Sequence, residues 1–291
     1  MWRSMLFVPV TVERYLRRAP EHGADAVVLD LEDGIPPDGK REARAALESA
    51  VDIVGASGSD VLVRINSPWR LAVRDLEAAV RPGVHAIVLP KAGSADQLGQ
   101  LDELMSELER EAGLPDRRIR MIAMIESPAA LFGAVQIARA SPRLCGIGLG
   151  AEDFAADTGT TPDSDLVADA KRTVALAAGA AGIGAYGIVG AISNYTDLPA
   201  FRAAAEAARA LGHVGGYAVH PAQVPILNEV FTPGPADVDW ATAVLATFEQ
   251  ATSAGRGSAA RDGRMVDAPV ARRARRVLER AASVARRPRP Q

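Results

Sequence analysis

Short apolar runs of strand length alternate with longer segments of helical period along most of the chain. In repeated βα units, each helix returns the chain outside a parallel sheet, and this alternation is typical of them. Eight runs qualify, which predicts an α/β fold built as a closed (β/α)8 TIM barrel. The predicted strands are Met5–Val8, Ala26–Leu31, Val61–Ile65, Ala86–Leu89, Arg120–Ile125, Cys145–Leu149, Ala185–Val189 and Tyr217–Val219.

The chain is longer than a barrel needs. Residues 1–234, which end with a helix after the eighth strand, are predicted to be the catalytic barrel domain. Residues 235–286 are predicted to be a helical extension that acts as a lid or subunit-bridging arm, with a Gly/Ser/Ala-rich hinge at 253–260. Residues 287–291 are predicted to be a disordered tail. The helices predicted in and after the barrel include Lys40–Val51, Ala95–Ala112, Asp165–Ala181, Leu198–Leu211, Pro235–Thr252 and Pro269–Arg286.

The amino-acid composition limits the kinds of partner that we expect the protein to bind. The 291 residues are 48% hydrophobic, enough for one large core, and a net charge of −3 provides no global basic field. Nucleic acid and an anionic membrane are therefore not expected partners. Cys145 is the single cysteine, so no intrachain disulfide can form. The apolar stretch that ends at Pro9 is too short for a signal sequence or a membrane span, and we expect a cytoplasmic protein.

Polar residues follow nearly every predicted strand. In (β/α)8 barrels the catalytic groups lie at the carboxyl ends of strands, so these positions are the candidate site. Strand seven lacks an obvious group. The residues at the other strand ends are Asp30, Glu32 and Asp33, then Arg64 and Asn66, Lys91, Glu126, Glu152 and Asp153, and His220.

Two carboxylates on neighbouring strands, Glu126 and Asp153, are the candidate metal ligands. A carboxylate that projects into a barrel mouth is costly to desolvate unless a cation compensates it. Two carboxylates completed by water and substrate oxygens are typical of an open Mg²⁺ site. An ion pair with an arginine or a helix cap is the alternative for each residue. Glu152 competes with Asp153 for the ligand position.

Arg64 is the candidate for substrate-carboxylate recognition, because a guanidinium matches a carboxylate bidentately. The alternative is a structural pairing with Asp30, Glu32 or Asp33. Further direct ligands would overfill a Mg²⁺ shell, so we expect Glu32 and Asp33 to bond to metal-bound water, Arg64 or Lys40.

Two other sequence features, a histidine and a series of glycines, indicate less about function. His220 is compatible with either a catalytic or a structural role. Gly146, Gly148 and Gly150 lie in a strand and its exit and do not open a helix in the G-x-G-x-x-G pattern, so a dinucleotide fingerprint is rejected.

Ordered motifs across the chain resemble the citrate lyase β-subunit family, the CoA-ester lyase branch of the HpcH/HpaI aldolase superfamily. The resemblance implies a Mg²⁺-dependent carbon–carbon lyase that cleaves a 3-hydroxyacyl-CoA thioester, such as citryl-, malyl- or citramalyl-CoA, into acetyl-CoA and a 2-oxo acid. The motifs are Arg3–Pro9, Asp30–Gly34, Val63–Asn66, Leu89–Lys91, Ile125–Ser127, Gly150–Asp153, Val219–Gln223, Phe231–Pro233 and Met265–Pro269.

The resemblance also implies individual roles. Glu126 and Asp153 would ligate Mg²⁺, and Arg64 would hold the carboxylate of the 2-oxo acid. Glu32 and Asp33 would orient metal-bound waters.

The resemblance also implies roles for residues near the two ends of the chain. Asp267, reaching the site of a neighbouring subunit, would act as acid/base on the acetyl-CoA methyl carbon within a homotrimer or a hexamer of trimers. Around the first strand, Arg3 and Arg14 are expected to meet CoA phosphates and Pro9 to line the substrate site. Solvated helix positions are the alternative for the arginines.

Departures from the family pattern concern specificity. The family has an acidic pattern after strand seven, whereas residues 184–195 here are mostly apolar or small. Pro128 also alters the turn after Glu126, so we expect a reshaped substrate pocket.

Three other functions compete with this one. A Schiff-base aldolase would need a strand-end lysine, and Lys91 is the candidate because Lys40 and Lys171 fall in helical segments. A thioesterase or malate synthase-like enzyme would follow if water reached the thioester. A non-catalytic paralogue that binds CoA esters is the third possibility.

Overall fold

The computed structural model describes residues 1–56 and 58–287, in which eight parallel strands form one sheet. Consecutive strands from the first to the seventh are neighbours, and the eighth pairs with the first. This confirms the predicted (β/α)8 architecture. The strands are β1 (Ser4–Pro9), β2 (Ala26–Asp30), β3 (Asp60–Arg64), β4 (Val84–Leu89), β5 (Arg120–Ile125), β6 (Leu144–Leu149), β7 (Gly184–Tyr186) and β8 (Gly216–Ala218).

Helices alternate with the strands, and 3-10 turns at Ala19–His22, Pro37–Gly39 and Pro221–Gln223 supplement them. Several boundaries follow from side-chain caps: Ser94 and Ser164 each accept a backbone N–H from the first turn of the helix that they precede. The helices are α1 (Glu13–Arg18), α2 (Lys40–Gly55), α3 (Trp69–Ala79), α4 (Ala95–Glu111), α5 (Pro128–Phe132), α6 (Ala134–Ala138), α7 (Ala151–Thr158), α8 (Asp165–Ala181), α9 (Leu198–Ala210), α10 (Val224–Val230), α11 (Pro235–Ser253) and α12 (Ala268–Ala285).

The gap between β7 and β8 is spanned by a single parallel bridge between Tyr186 and Gly215. Strand β7 is shorter than predicted, because Gly187 has φ +132°, which takes the chain out of the extended conformation directly after Tyr186. The predicted continuation to Val189 was therefore wrong.

Side chains from all around the barrel fill its interior, and most are completely buried. Parallel strands covered on both sides need apolar residues on both faces, which explains the near-continuous Val, Ile and Leu runs. The interior cluster consists of Trp2, Met5, Ala26, Val28, Leu62, Ala86, Val88, Ile122, Met124, Tyr186 and Tyr217.

The chain divides into two compact units, of which the first is Met1–Glu229 and the second begins at Val230. In the second unit α11 packs on α12, and strands β9 (Ala259–Arg261) and β10 (Arg264–Val266) form an antiparallel hairpin. Strand β9 begins inside the stretch predicted to be a hinge. The lid function of this unit stays a prediction.

The chain beyond α12 is described only as far as Arg287, whose amide bonds to the carbonyl of Val284. The rest of the predicted tail, residues 288–291, lies outside the described residues. Among the residues that are described, no helix combines the length and the apolar composition needed to cross a membrane.

Candidate active site

The carboxyl ends of strands β2 to β6 bring six charged side chains together. Asp30 ends β2 and Glu32 follows it, Arg64 ends β3, Lys91 follows β4, Glu126 follows β5, and Asp153 lies in the first turn after β6. Ion pairs of 4 Å or less link all six into one network. These six of the strand-end residues predicted for the site are therefore neighbours in space.

Arg64 is held by three carboxylates. Its Nε and Nη2 donate hydrogen bonds to Asp30 Oδ1 (2.7 Å) and Oδ2 (2.8 Å). Its Nη1 lies 2.9 Å from Glu32 Oε2 and 3.7 Å from Asp33 Oδ2. Burial lowers the pKa of Arg64, but the bonds and charge of Asp30 and the charge of Glu32 outweigh it and raise that pKa above its ordinary value. The guanidinium is permanently charged, and one of its edges is committed to Asp30.

An aromatic ring supports the face of the same guanidinium. The Arg64 guanidinium carbon lies 4.7 Å from the centre of the Phe7 ring, which itself stacks on Tyr217 at 5.4 Å. A cation over an aromatic face is favourable in this geometry. Sequence reasoning assigned no role to Phe7, although it lies on β1 two residues before the strand ends.

Asp30 also organises the turn that carries Glu32. Its Oδ1 accepts the amide of Glu32 and its Oδ2 accepts the amide of Gly34, both at 2.9 Å. Burial raises the pKa of Asp30, but its bonds with Arg64 and with these amides more than compensate and lower the pKa below its ordinary range. Asp30 is therefore a structural anion under the site.

Lys40 reaches this turn in a different way from the one expected. Its Nζ donates to the backbone carbonyls of Leu31 (2.8 Å) and Glu32 (2.6 Å), and not to an acidic side chain of the cluster. Asn66 also donates to the Leu31 carbonyl, at 2.8 Å. The hydrogen bonds from Lys40 and Asn66 hold the backbone of the turn after β2. The Glu32 side chain faces the barrel mouth.

Glu126 is the most strongly perturbed carboxyl of the cluster. Burial raises its pKa to about 8, and the charges of Glu32 and Asp153 add to the increase while Lys91 opposes it. Helix α7 begins immediately after Gly150, whose position is fitted to this side chain: a Cβ at Gly150 would meet Glu126 Cγ at 2.6 Å. No residue with a side chain fits there without moving Glu126.

The structure separates the two candidate carboxylates after β6. Glu152 is exposed and its Oε1 accepts a hydrogen bond from Ser193 Oγ at 2.8 Å. Asp153 faces the cluster, with its Oδ1 3.8 Å from Lys91 Nζ. Asp153 is therefore the residue of the pair that shares the site with Glu126.

Lys91 stands among three carboxylates. Its Nζ lies 2.6 Å from Glu32 Oε1, 3.7 Å from Glu126 Oε2 and 3.8 Å from Asp153 Oδ1. Burial lowers the pKa of Lys91, but the bond to Glu32 and the acidic charges outweigh it and raise that pKa well above its ordinary value. A Schiff base needs a neutral amine, so this environment opposes the aldolase alternative.

A hard divalent cation fits the donors of the cluster. Within residues 1–56 and 58–287 no group of three or more His, Cys, Asp or Glu side chains is arranged to hold a metal by itself. Two buried oxygens nevertheless accept no hydrogen bond: they are Glu126 Oε2 and Glu32 Oε2, the second of which pairs with Arg64 Nη1 at 2.9 Å without hydrogen-bond geometry. Carboxylate oxygens with open positions suit Mg²⁺, which commonly takes its remaining ligands from water and substrate. The donor set fits such an ion.

The remaining predicted residues lie in different places. Pro9 ends β1 and is half-buried, with its Cγ 3.7 Å from the position that a Cβ on Gly34 would take. Arg14 is exposed on α1, where it stacks on the Tyr15 ring and donates to its hydroxyl. Asp267 belongs to the second compact unit, where it caps α12 by accepting the Val270 amide at 3.2 Å.

Arg3 precedes β1 and so lies at the amino end of the strand, opposite the charged cluster. It donates from Nε and Nη2 to Asp25 at 3.0 and 2.6 Å. This position does not support the expected contact with CoA phosphates and favours a structural role. His220 caps its own turn, because its Nδ1 accepts the Ala222 amide, and it stacks on Tyr195.

Comparison with known proteins identifies the family of the chain. The HpcH/HpaI aldolase/citrate lyase family model matches residues 3–221. The citrate lyase subunit beta of Leuconostoc mesenteroides subsp. cremoris is 35% identical over 280 residues, covering 95% of this chain and 92% of that protein. A (3S)-malyl-CoA thioesterase of Cereibacter sphaeroides is 33% identical over 289 residues, covering 98% and 96%.

Solved structures give the same result. The CitE protein of Mycobacterium tuberculosis, in complex with magnesium, acetoacetate and coenzyme A, superposes with a TM-score of 0.72 and 31% identity, covering 96% of this chain and 97% of that one. The chain belongs to the HpcH/HpaI aldolase/citrate lyase family, which confirms the family and the lyase class predicted from the strand-end motifs.

Proposed function

We propose that this protein is a Mg²⁺-dependent carbon–carbon lyase that cleaves a 3-hydroxyacyl-CoA thioester, such as citryl-, malyl- or citramalyl-CoA, into acetyl-CoA and a 2-oxo acid. The observation that carries the proposal is the convergence of Arg64 with Glu126 and Asp153 at the barrel mouth. The magnesium and coenzyme A bound to the M. tuberculosis relative support the same chemistry.

Glu126 and Asp153 would hold the metal, and Glu32 and Asp33 would orient its waters. Bound Mg²⁺ would polarise the hydroxy-acid oxygens and stabilise the negative charge that the 3-hydroxyl oxygen gains as it loses its proton. Glu126 must be ionised to act as a ligand, and burial disfavours that form until a cation is present. Metal binding and loss of the Glu126 proton are therefore coupled.

Arg64 would hold the carboxylate of the 2-oxo acid fragment. Its Nε and Nη2 are bonded to Asp30, so Nη1, which lies 2.9 Å from Glu32 Oε2, is the nitrogen that we expect to meet the substrate. Asp30 and the Phe7 ring keep the guanidinium plane fixed, so substrate would meet a preorganised charge.

Cleavage breaks the bond between C2 and C3 of the acyl chain. The 3-hydroxyl group would give its proton to a water molecule oriented by Glu32 and Asp33 as C3 becomes the carbonyl carbon of the 2-oxo acid, and the bonding electrons would pass to C2 as a thioester enolate. A protonated Asp267 would then deliver its proton to C2, which gives acetyl-CoA when C2 carries no substituent.

Malyl-, citramalyl-, citryl- and 3-hydroxy-3-methylglutaryl-CoA should be assayed with and without EDTA, with separate detection of acetyl-CoA and free CoA. We expect metal-dependent acetyl-CoA release that Glu126→Ala abolishes. Release of free CoA together with a hydroxy acid would instead favour a thioesterase, the activity named for the C. sphaeroides relative. Tight thioester binding without any product would favour the non-catalytic paralogue.

We also propose that Asp267 acts in a neighbouring copy within a homotrimer or a hexamer of trimers. Glu126→Ala and Asp267→Asn should each be inactive alone, yet mixed assemblies would contain intact sites made from one chain of each kind. Activity that appears after the two variants are unfolded and refolded together would support the proposal. If co-refolded mixtures, shown by mass to contain both chains, stayed inactive, Asp267 would not act between subunits.

A further inference from the structure

Lys91 has an unusual backbone. Its φ is +49°, in the left-handed region that residues other than Gly, Asn and Asp seldom adopt. Arg117 and Asp262 are the other two non-glycine residues with positive φ in the described part of the chain. Such a conformation persists only where the surroundings enforce it, and it is a reason to look for a function.

The side chain of this residue reaches a point faced by three acids from different strands. The ammonium touches Glu32 Oε1 at 2.6 Å, while Glu126 Oε2 and Asp153 Oδ1 lie at 3.7 and 3.8 Å. The latter two distances are too long for hydrogen bonds, so only the contact with Glu32 is a close one. The side chains of Glu32 and Glu126 are each only 7% exposed, so repulsion between their ionised forms is poorly screened by water.

We propose that Lys91 is a tethered cation that holds this carboxylate cluster together before metal binds and that competes with Mg²⁺ for it. Lys91 is a positioning residue in this inference, and the identity of the metal rests on the proposed function. When Mg²⁺ takes Glu126 and Asp153, the ammonium stays on Glu32 and gives up its position between the other two. The metal must overcome the repulsion of a fixed positive charge, so Lys91 weakens Mg²⁺ binding while stabilising the metal-free site.

Titration calorimetry of the metal-free protein with MgCl₂ tests this inference without any turnover. Lys91→Met keeps much of the side-chain length and removes the charge, and we expect the Kd for Mg²⁺ to fall about tenfold because an opposing unit charge is lost. The melting temperature in EDTA should fall in the same variant. Lys91→Arg keeps the charge and should leave the Kd close to the wild-type value.

Two further variants separate charge from other effects. Lys91→Asn removes the charge with a residue that tolerates the left-handed conformation, and it should tighten Mg²⁺ binding as Lys91→Met does. Lys40→Met removes a nearby ammonium that bonds to backbone carbonyls, and it should change the Kd by less than about threefold, since that charge does not stand between the carboxylates.

Several results would overturn the inference. They are an unchanged or weaker Mg²⁺ affinity in both Lys91→Met and Lys91→Asn, an equal tightening in Lys40→Met, or no Mg²⁺ binding by any of these proteins. Failure of the lyase proposal looks different: a wild-type protein that binds Mg²⁺ but cleaves no thioester would refute the activity, and the comparison of Lys91 variants would still decide the role of Lys91.

Discussion

Asp30 and Arg64 are joined by two parallel hydrogen bonds, from Nε to Oδ1 at 2.7 Å and from Nη2 to Oδ2 at 2.8 Å. The same two oxygens accept the amides of Glu32 and Gly34. One buried carboxylate therefore fixes both the guanidinium and the turn that presents Glu32 to the site.

Replacing Arg64 by lysine should lower kcat/KM for the thioester about a hundredfold, because an ammonium cannot reproduce the planar fork and a small displacement at the site is costly. Thermal unfolding should also show lost stability, since Asp30 keeps its burial but loses a partner. Arg202→Lys is the matched control: Arg202 forms a similar two-bond pair with Glu229 on the surface, and exposed pairs contribute little. Equal effects of the two substitutions would contradict this account.

The melting temperature measured in EDTA should fall as pH rises from about 5 to about 8. The unfolded chain releases the Glu126 proton above its ordinary pKa of 4.5, whereas the folded protein keeps it until about pH 8, so the unfolded state binds fewer protons across this window. Glu126→Gln should make this slope shallower, because that side chain has no proton to lose. The comparison with the exposed Glu107→Gln serves as control, and an unaltered slope in Glu126→Gln would show that this carboxyl ionises normally.

Asp267→Asn should separate chemistry from helix capping. Asparagine caps a helix about as well as aspartate, so the stability should change little, but it has no carboxyl proton to give. We expect kcat to fall by about a hundredfold or more, the contribution typical of general acid–base catalysis. Asp197→Asn, at the cap of α9, is the matched control and should keep both turnover and stability. Full kcat in Asp267→Asn would leave this residue with a capping role alone.

Replacing Arg3 should lower the stability of the protein, whereas replacing Arg14 should weaken its binding of the CoA ester. Arg3→Ala removes the guanidinium that pairs with the buried carboxylate of Asp25, and we expect a loss of about 3 kcal/mol in the free energy of unfolding with little change in KM. Arg14→Ala removes an exposed side chain and should raise KM for the CoA ester without changing stability. Urea unfolding and steady-state kinetics on both variants measure the two effects. A raised KM in Arg3→Ala at unchanged stability would reverse the assignment.

Much of the fold could be predicted from the sequence, because strands buried on both sides must be apolar throughout and helices begin at recognisable caps. Helix α8 was predicted with its observed bounds, between the Ser164 cap and the left-handed Gly182. The β9–β10 hairpin was missed although Asp262-Gly263, both with positive φ, is a strong turn signal. The charged residues that flank it concealed the strand pattern.

The site was predictable as a set of strand ends but not as a set of contacts. Sequence position places Arg64, Lys91 and Glu126 at one end of a parallel barrel, and the same rule would have placed Arg3 at the other end. Which edge of Arg64 faces Asp30, and that Lys91 turns inward through a left-handed backbone, depend on packing between elements distant in the chain. Periodicity contains no information about such contacts.

The pairing between β7 and β8 is the weakest in the barrel. Where other neighbouring strands share at least three residue pairs, β7 and β8 meet only at the Tyr186–Gly215 bridge, flanked by bonds from Val214 to Ala185 and from Gly187 to Gly215. Local opening there breaks very few backbone bonds, so amide hydrogens along this pairing should exchange with deuterium sooner than those of β2 to β5. The barrel should therefore open first between β7 and β8, neither of which contributes a residue to the charged cluster at the ends of β2 to β6.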